Sequence, residues 1–251
     1  MSKANVNSTT VTGRPAQEAD KLANAALLKE VSGALTLAAF TGLIALLLFL
    51  APDHPVYVVG EIALGVGILW AAKIYAAGDQ EYHKARAIGK AEREVAGILA
   101  RSGVSELAHS TKIQTGEIIG HLALGPCAAV IKTYPGTGRV TYESNIFKVG
   151  RRQIPGDPLK EIISHATSLS ALIGVEVSPI ICVPGMTHDP FMIDGVTICS
   201  SYHIQRAIRT LPPAIDAFRA RAFISSLPEG AKVKYRAPRA SILSFINKPI
   251  G

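Results

Sequence analysis

The sequence predicts a transmembrane helical hairpin followed by a mixed α/β domain. Two long apolar runs lie near the start of the chain, and segments with the patterns of helices and strands alternate after them. The 251 residues are 48% hydrophobic and 18% charged, with a mean hydropathy of +0.27. Because soluble domains carry about 25% charged residues, these averages indicate a membrane segment joined to an ordinary domain. They exclude a wholly disordered chain, a fibrous repeat and a disulfide scaffold.

The hairpin is predicted over residues 31–77. Residues 31–52 contain no charged side chain, and about 20 helical residues are enough to span a bilayer core. A short polar turn at 53–55 separates this run from a second apolar run at 56–77. A signal peptide fits poorly, because the first run is long and follows 30 mostly polar residues. A buried helical hairpin of a soluble domain is the other alternative.

The distribution of basic residues predicts the orientation of the hairpin. Lys21 and Lys29 precede it, Lys84, Arg86 and Lys90 follow it, and the turn carries no Lys or Arg. Because basic residues stay on the cytoplasmic side, both termini are predicted to be cytoplasmic. We therefore expect a protein of the inner (cytoplasmic) membrane with two spans. Its N-terminal segment, residues 1–30, is predicted to be mobile and cytoplasmic.

An α/β domain is predicted over residues 78–215. A helix over 79–102 is expected to end at Gly103, and a second helix is expected to begin at Asp157-Pro158 and end at Gly174. The predicted strands cover residues 118–124, 127–134, 139–143, 146–149, 177–183 and 196–199, with a hairpin turn at Ser144-Asn145. Two further helices are predicted over 202–210 and 214–226. The three cysteines, an odd number without a CxxC motif, indicate reduced and mostly buried thiols.

Several short motifs occur in a characteristic order within residues 86–215. They are Gly89-Lys90-Ala91-Glu92-Arg93-Glu94, Gly116-Glu117-Ile118-Ile119-Gly120-His121, Val130-Ile131-Lys132-Thr133-Tyr134, Gly138-Arg139-Val140, Asp157-Pro158-Leu159-Lys160-Glu161 and Cys182-Val183-Pro184-Gly185. The series resembles the NERD (nuclease-related) domain family. This resemblance implies a restriction-endonuclease-like fold, in which helices flank a mixed sheet. It also implies a site where two carboxylates hold Mg²⁺ on the scissile phosphate.

The chain departs from the family pattern at the metal site. The two acids of the family fall on Gly120 and Lys132, and the family's lysine falls on Tyr134. Its usual glutamine falls on Glu161, whereas Glu92 stays in place. The resemblance therefore implies a domain that binds without cutting, and we expect Lys132 to pair with Glu92 or Glu161.

Four residues are the candidate catalytic set: Glu92, Glu117, Lys132 and Glu161. No cofactor is expected. The alternative is an active Mg²⁺-dependent nuclease with relocated acidic ligands, in which Glu92 and Glu117 would hold the metal.

The C-terminal segment, residues 216–251, is strongly basic. Its cationic side chains are opposed mainly by Glu229, and the candidates for phosphate contact are Arg219, Arg221, Lys232, Lys234, Arg236 and Arg239. Such a cluster can bind nucleic acid or an anionic membrane surface, or can form a tail with no partner. The expected partners are therefore the membrane, nucleic acid and, as an alternative, a protein assembly.

Three other places offer chemically capable side chains with weaker patterns. His121 on a strand is expected to be a partly buried, hydrogen-bonded histidine rather than a base. Residues 186–190, which include His188 and Asp189, are expected to form a solvated loop. Ser200 and Ser201 with His203 do not match a nucleophile motif.

Overall fold

The computed structural model describes residues 10–50, 56–113, 118–125 and 127–227. The chain divides into two compact units, a helical unit of residues 17–89 and an α/β unit that combines residues 1–16 with residues 90–251. The first helix, α1, spans Gln17–Leu50, and the second, α2, spans Val56–Leu99. Helix α2 therefore begins in the helical unit and ends in the α/β unit.

Both helices are long and apolar enough to cross a membrane. In their most apolar 18-residue windows, 6% of α1 and 17% of α2 is buried. Large apolar side chains such as Leu35, Val66, Leu69 and Trp70 are more than half exposed. The helices thus lack the burial that a hairpin at the core of a soluble domain would have.

Glycines let α1 and α2 approach each other closely within the helical unit. A Cβ atom on Gly78 would lie 2.7 Å from the backbone nitrogen of Glu30, and one on Gly33 would lie 2.8 Å from that of Tyr75. Close backbone approach at small residues is typical of packed membrane helices. The Lys29 ammonium also lies 2.8 Å from a Glu81 carboxylate oxygen.

The boundary predicted between residues 77 and 78 is therefore wrong, because it falls inside the continuous helix α2. Gly78 is a poor helix former. Packing of Gly78 against α1 outweighs that local preference, which is worth about 1 kcal/mol for a glycine.

The α/β unit has short strands and three further helices. The strands are β1 (Thr10–Thr12), β2 (Glu106–Lys112), β3 (Ile118–Leu124), β4 (Ala128–Thr133), β5 (Thr137–Gly138), β6 (Val140–Glu143), β7 (Ile146–Val149), β8 (Arg152–Gln153), β9 (Ser178–Cys182), β10 (Gly185–Met186), β11 (Phe191–Ile193) and β12 (Val196–Cys199). The helices are α3 (Pro158–Ile173), α4 (Ile204–Arg209) and α5 (Ala217–Ser226).

Within the described residues, seven strands form a mixed sheet in the order β1-β2-β3-β4-β9-β12-β11. Strands β2, β3 and β4 are antiparallel neighbours, whereas β9 runs parallel to β4 and to β12. The connection from β4 to β9 contains α3 and a small sheet of β6, β7 and β8. The α/β class with a mixed sheet is thus confirmed.

Helix α3 covers one face of this sheet. Side chains alternate between the faces of a strand, and Leu122 and Val130 point toward α3. There they share a buried apolar cluster with Leu159, Ile162 and Leu169. Fully burying a large aliphatic side chain contributes about 1.5–3 kcal/mol, so this layer fixes α3 firmly on the sheet.

The end of α2 and helix α4 cover the opposite face. Leu107 and Ile131 form a second buried cluster there with Val95 and Leu99 of α2 and Ile204 of α4. The α/β unit therefore has helix, sheet and helix layers. Consecutive residues of a strand therefore point to opposite faces of the sheet, one toward α3 and the next toward α2 and α4.

The local signals for turns and helix ends are confirmed. Ser144 and Asn145 have positive φ angles of 51° and 62° between β6 and β7. Asp157 caps α3 by accepting a hydrogen bond from the Lys160 N–H, and Gly174 ends α3 with φ 75°. Gly103, with φ 87°, follows the end of α2.

Two boundary predictions at the ends of the chain are wrong. Residues 1–30 do not form one mobile segment, because β1 pairs with β2 and α1 already begins at Gln17. The basic segment does not begin at residue 216 as a separate tail either. Helix α5 belongs to the α/β unit, since Ala220, Ile224 and Leu227 are buried in its core.

Candidate functional site

Gly120 and Lys132, the two positions at which the resemblance predicts acids, lie side by side on β3 and β4. His121 pairs with Ile131 in the antiparallel ladder, so continuing the register by one residue places Gly120 opposite Lys132. A Cβ atom on Gly120 would lie 3.2 Å from the Ile131 carbonyl oxygen, which leaves little space for a side chain. Gly120 supplies no ligand here, and Lys132 supplies a cation.

Lys132 forms an ion pair with Glu161 of α3, as the sequence predicts for one of the two possible glutamates. The Lys132 side chain is 28% exposed and the Glu161 side chain 48% exposed, so water reaches both partners of the pair. Tyr134, two residues further along the chain, donates a hydrogen bond of 3.5 Å to the other Glu161 oxygen. The Lys132 ammonium also lies 5.5 Å from the Tyr134 ring centroid.

These three residues form a compact cluster that we call the Lys132 cluster. Burial, reinforced by the negative charge of Glu161 and the hydrogen bond to it, raises the pKa of Tyr134, whose hydroxyl therefore stays protonated. Helix α3 presents Glu161 in its first turn, directly after the Asp157 cap. Within the cluster, the Lys132 ammonium neutralises the Glu161 carboxylate, and the Tyr134 phenol donates a hydrogen bond to it.

Glu92 and Glu117, the other two candidates, do not add to this cluster in the described structure. Glu92 lies on α2, whose Val95 and Leu99 pack on the sheet face opposite α3. Glu117 lies outside the described residues. Within the described ranges, no three His, Cys, Asp or Glu side chains are grouped so that they could hold a metal ion.

The side chains at the Lys132 cluster do not fit Mg²⁺, which prefers carboxylate oxygens and water as ligands. Gly120 has no donor atom, and the Lys132 ammonium already contacts Glu161. An ion bound here would have to displace a cation from the same carboxylate.

The structure contains a buried histidine pair, of which the sequence analysis singled out only His121. His109 on β2 and His121 on β3 are cross-strand partners, with Nδ1 atoms 2.7 Å apart and rings edge to face. Both are buried, and His121 Nε2 has no hydrogen-bond partner within the described structure. His121 is thus fully buried and incompletely hydrogen-bonded, contrary to the expectation of a partly buried, satisfied histidine.

The physical state of this pair follows from its burial. Desolvation lowers the pKa of His109 to about 4. Desolvation, together with the nearby His109, lowers the pKa of His121 well below 6.5. Both rings are therefore neutral near pH 7, and one Nδ1–H donates to the other Nδ1. Sequence reasoning missed His109 because β2 was not predicted as a strand.

The three cysteines are free and buried, as predicted. Cys182 and Cys199 are register partners on the parallel strands β9 and β12. A hydrogen bond to Cys199, with burial as the next cause, raises the pKa of the Cys182 thiol. Burial also raises the pKa of Cys127. The Cys127 and Cys182 thiols are therefore poor nucleophiles at neutral pH.

The predicted phosphate-contacting residues divide into two groups. Arg219 and Arg221 lie on α5, where Arg219 faces the Asp216 cap and Arg221 Nε lies 3.1 Å from Glu106. The Glu106 side chain is 2% exposed, so Arg221 neutralises a buried charge. Lys232, Lys234, Arg236 and Arg239 lie outside the described residues.

The remaining polar candidates have local structural partners. His188 Nε2 accepts a hydrogen bond of 3.0 Å from the Val140 backbone N–H, which ties its loop to β6. Ser200 Oγ lies 2.9 Å from His203 Nδ1 in the turn before α4. Because Ser200 is 3% exposed, a substrate has little access to its hydroxyl.

In comparisons with protein-family models, with curated proteins and with solved structures, none matches this chain.

Proposed function

We propose that this protein is a membrane-anchored, NERD-like domain that binds nucleic acid at the cytoplasmic face of the inner membrane without cleaving it. The restriction-endonuclease-like fold, the two membrane spans and the cytoplasmic orientation of both termini belong to this proposal. An assembly role, in which the domain binds a protein and no nucleic acid, is the competing hypothesis.

The order of elements in the α/β unit supports the proposed fold. The end of α2 is followed by three antiparallel strands, then α3, then a strand parallel to β4. The motif series predicts this succession from β3 onward, and β2 is an additional strand. Gly120 and Lys132, the positions compared with the family's two acids, also lie on the adjacent strands β3 and β4. Two acids that share one metal ion would have to lie this close together.

The ion pair between Lys132 and Glu161 is the observation that carries the proposed loss of cleavage. A two-acid site works because its carboxylates hold a divalent ion on the scissile phosphate. Here one acid position is a glycine and the other is a cation bound to the remaining carboxylate. An opposite charge this close stabilises the ionised glutamate and competes with a metal for it.

The apolar helices support the proposed anchor. Both are long enough to span a bilayer, and their exposed apolar side chains would contact lipid.

The composition supports nucleic-acid binding, because the chain has a formal net charge of +7, and the basic residues are concentrated toward its C-terminal end. Such a cluster can replace counterions on a phosphate backbone.

Binding to duplex DNA at several salt concentrations tests the function. We expect the full chain in detergent micelles to retard duplexes of unrelated sequence alike, with affinity falling steeply as salt rises. Removing residues 228–251 should flatten the salt dependence, because four of the candidate cations lie there. A chain that binds neither duplexes nor single strands at low salt would refute the proposal and favour a protein partner.

A further inference from the structure

A groove outside the Lys132 cluster lies between the β11–β12 hairpin and α4. One part is a cavity of about 570 Å³ that includes Asp189, Met192 and Thr197 on the hairpin side. A second part of about 450 Å³ continues along α4 past Tyr202 and Arg209. Both parts include His203, Arg206 and Thr210, so they form one continuous surface that we call the α4 groove.

The α4 groove has cations without carboxylate partners. Arg206 and Arg209 are exposed and lie three residues apart on α4, a spacing that places both on the same side of a helix. Neither forms an ion pair with the described residues, whereas Arg219 and Arg221 on α5 both do. Two neighbouring guanidinium groups without carboxylate partners can donate hydrogen bonds to the oxygens of an anionic ligand.

The groove also has an aromatic surface beside these cations. Tyr202 is 86% exposed, and its ring packs edge to face on His203 with centroids 5.0 Å apart. Most of the Tyr202 side chain therefore remains in solvent, where it is accessible to a ligand. The Thr197 and Thr210 hydroxyls add hydrogen-bonding groups, and the cavity volume lies within the range of about 300–1,000 Å³ that is usual for small-ligand sites.

We propose that the α4 groove binds single-stranded nucleic acid, with Arg206 and Arg209 on neighbouring phosphates and Tyr202 stacked on a base. This inference rests on the proposed nucleic-acid function and locates a binding site within the folded domain. Exposed aromatic rings next to a cationic groove are the combination that single strands require, because their bases are free to stack. A duplex keeps its bases stacked internally and would use only the arginines.

Asp189 also lines the part of the groove between the hairpin and α4. Its carboxylate can accept a hydrogen bond from an N–H group of a nucleobase, such as the N3–H of thymine. It does not separate nucleic acid from lipid, because it would repel the phosphates of either. Tyr202 separates them, since a lipid headgroup has no base to stack on its ring.

Fluorescence anisotropy with a labelled oligothymidylate of about 12 nucleotides tests the site. The full chain is held in nanodiscs of neutral phosphatidylcholine, so that no anionic lipid competes. We expect Tyr202→Ala to weaken binding about tenfold, since stacking contributes about 1–3 kcal/mol per base. The double variant Arg206→Ala/Arg209→Ala should make the slope of log affinity against log salt less negative by about 1.4, for two lost phosphate contacts.

A second double variant, Arg151→Ala/Arg152→Ala, is the matched control. It removes the same charge from exposed residues at the β7–β8 turn, and we expect it to leave both affinity and slope near wild type. Thermal unfolding checks that all variants remain folded. Because Tyr202, Arg206 and Arg209 are exposed, their loss should not disturb the core.

Three results would overturn the inference. If the wild-type chain binds but the groove variants bind equally well, the site lies elsewhere and the proposed function stands. If the arginine variant weakens single strands and duplexes alike while Tyr202→Ala changes nothing, the groove is only an electrostatic surface. If phosphatidylserine vesicles displace the oligonucleotide at equal phosphate concentration, the groove binds lipid headgroups. A wild-type chain that binds neither single strands nor duplexes contradicts the proposed function itself.

Discussion

His109 and His121 show how two ordinary residues become a pH-sensitive structural element when they are buried together. Their lowered pKa values mean that the folded chain leaves both rings neutral, whereas an unfolded chain protonates each near pH 6.5. Between pH 6.5 and about 4 the unfolded state therefore binds more protons. The contribution of these two histidines to the free energy of unfolding is fully present above that window and is lost as the pH falls through it.

We predict that the free energy of unfolding decreases from pH 7 to pH 5 by up to about 1.4 kcal/mol per pH unit and histidine. The double variant His109→Leu/His121→Leu should flatten this dependence, whatever its stability at pH 7. His83→Gln, at an exposed histidine of α2, is the control and should keep the wild-type slope. Denaturant unfolding at several pH values measures the difference, and equal slopes in all three proteins would contradict the assigned neutral pair.

Arg221 and Arg219 lie on the same helix but have different energetic roles. Arg221 neutralises the buried Glu106, whereas Arg219 lies 3.8 Å from an exposed Asp216 oxygen. We predict that Arg221→Ala destabilises the fold by about 1–3 kcal/mol, because a buried carboxylate loses its partner. Arg219→Ala should change stability by less than about 1 kcal/mol. Thermal unfolding compares the two variants, and equal losses would show that Glu106 does not depend on Arg221.

At the scale of the elements, α3 brings Glu161 to Lys132 on strand β4. Its first turn holds Glu161, and the Asp157 side chain caps the same turn. We predict that Asp157→Ala lowers stability by about 1 kcal/mol, whereas Asp157→Asn, which can still cap, stays close to wild type. Chemical denaturation measures both, and an unchanged Asp157→Ala variant would mean that the cap contributes nothing.

The elements that the sequence predicted correctly are those with strong local signals. Asp157, Gly174 and the Ser144-Asn145 turn act within a few residues, so their chemistry is readable along the chain. Strand β2 was missed because Glu106, His109 and Thr111 interrupt its apolar pattern. These polar residues are nevertheless buried, since Arg221 and His121, far away in sequence, provide partners for Glu106 and His109.

The candidate site was predictable only in part for the same reason. Lys132 was expected to pair with one of two glutamates, and the fold selects Glu161 because α3 covers the face on which Lys132 lies. The sequence could not assign Glu92 to the other face, since that depends on where α2 packs. The α4 groove was missed because its residues come from a hairpin and a short helix with no motif in common.

At the scale of the whole molecule, the membrane topology is a separate prediction. A cysteine placed at His54, in the turn between the spans, should react with an impermeant thiol reagent added outside the cell, and one at Ser8 should not. Both positions lie outside the described residues. The three native cysteines are buried and should give little background. Labelling of both positions, or of neither, would contradict two spans with cytoplasmic termini.

The central claim is that the Lys132 cluster replaces a metal site in a domain that still binds nucleic acid. Supercoiled plasmid incubated with the full chain in micelles and with Mg²⁺ or Mn²⁺ tests it most directly. We predict that the protein retards the plasmid on a gel but leaves it supercoiled, because Lys132 occupies the carboxylate that an ion would need. Metal-dependent conversion to nicked or linear plasmid, abolished by Glu161→Gln, would contradict this account and establish an active nuclease.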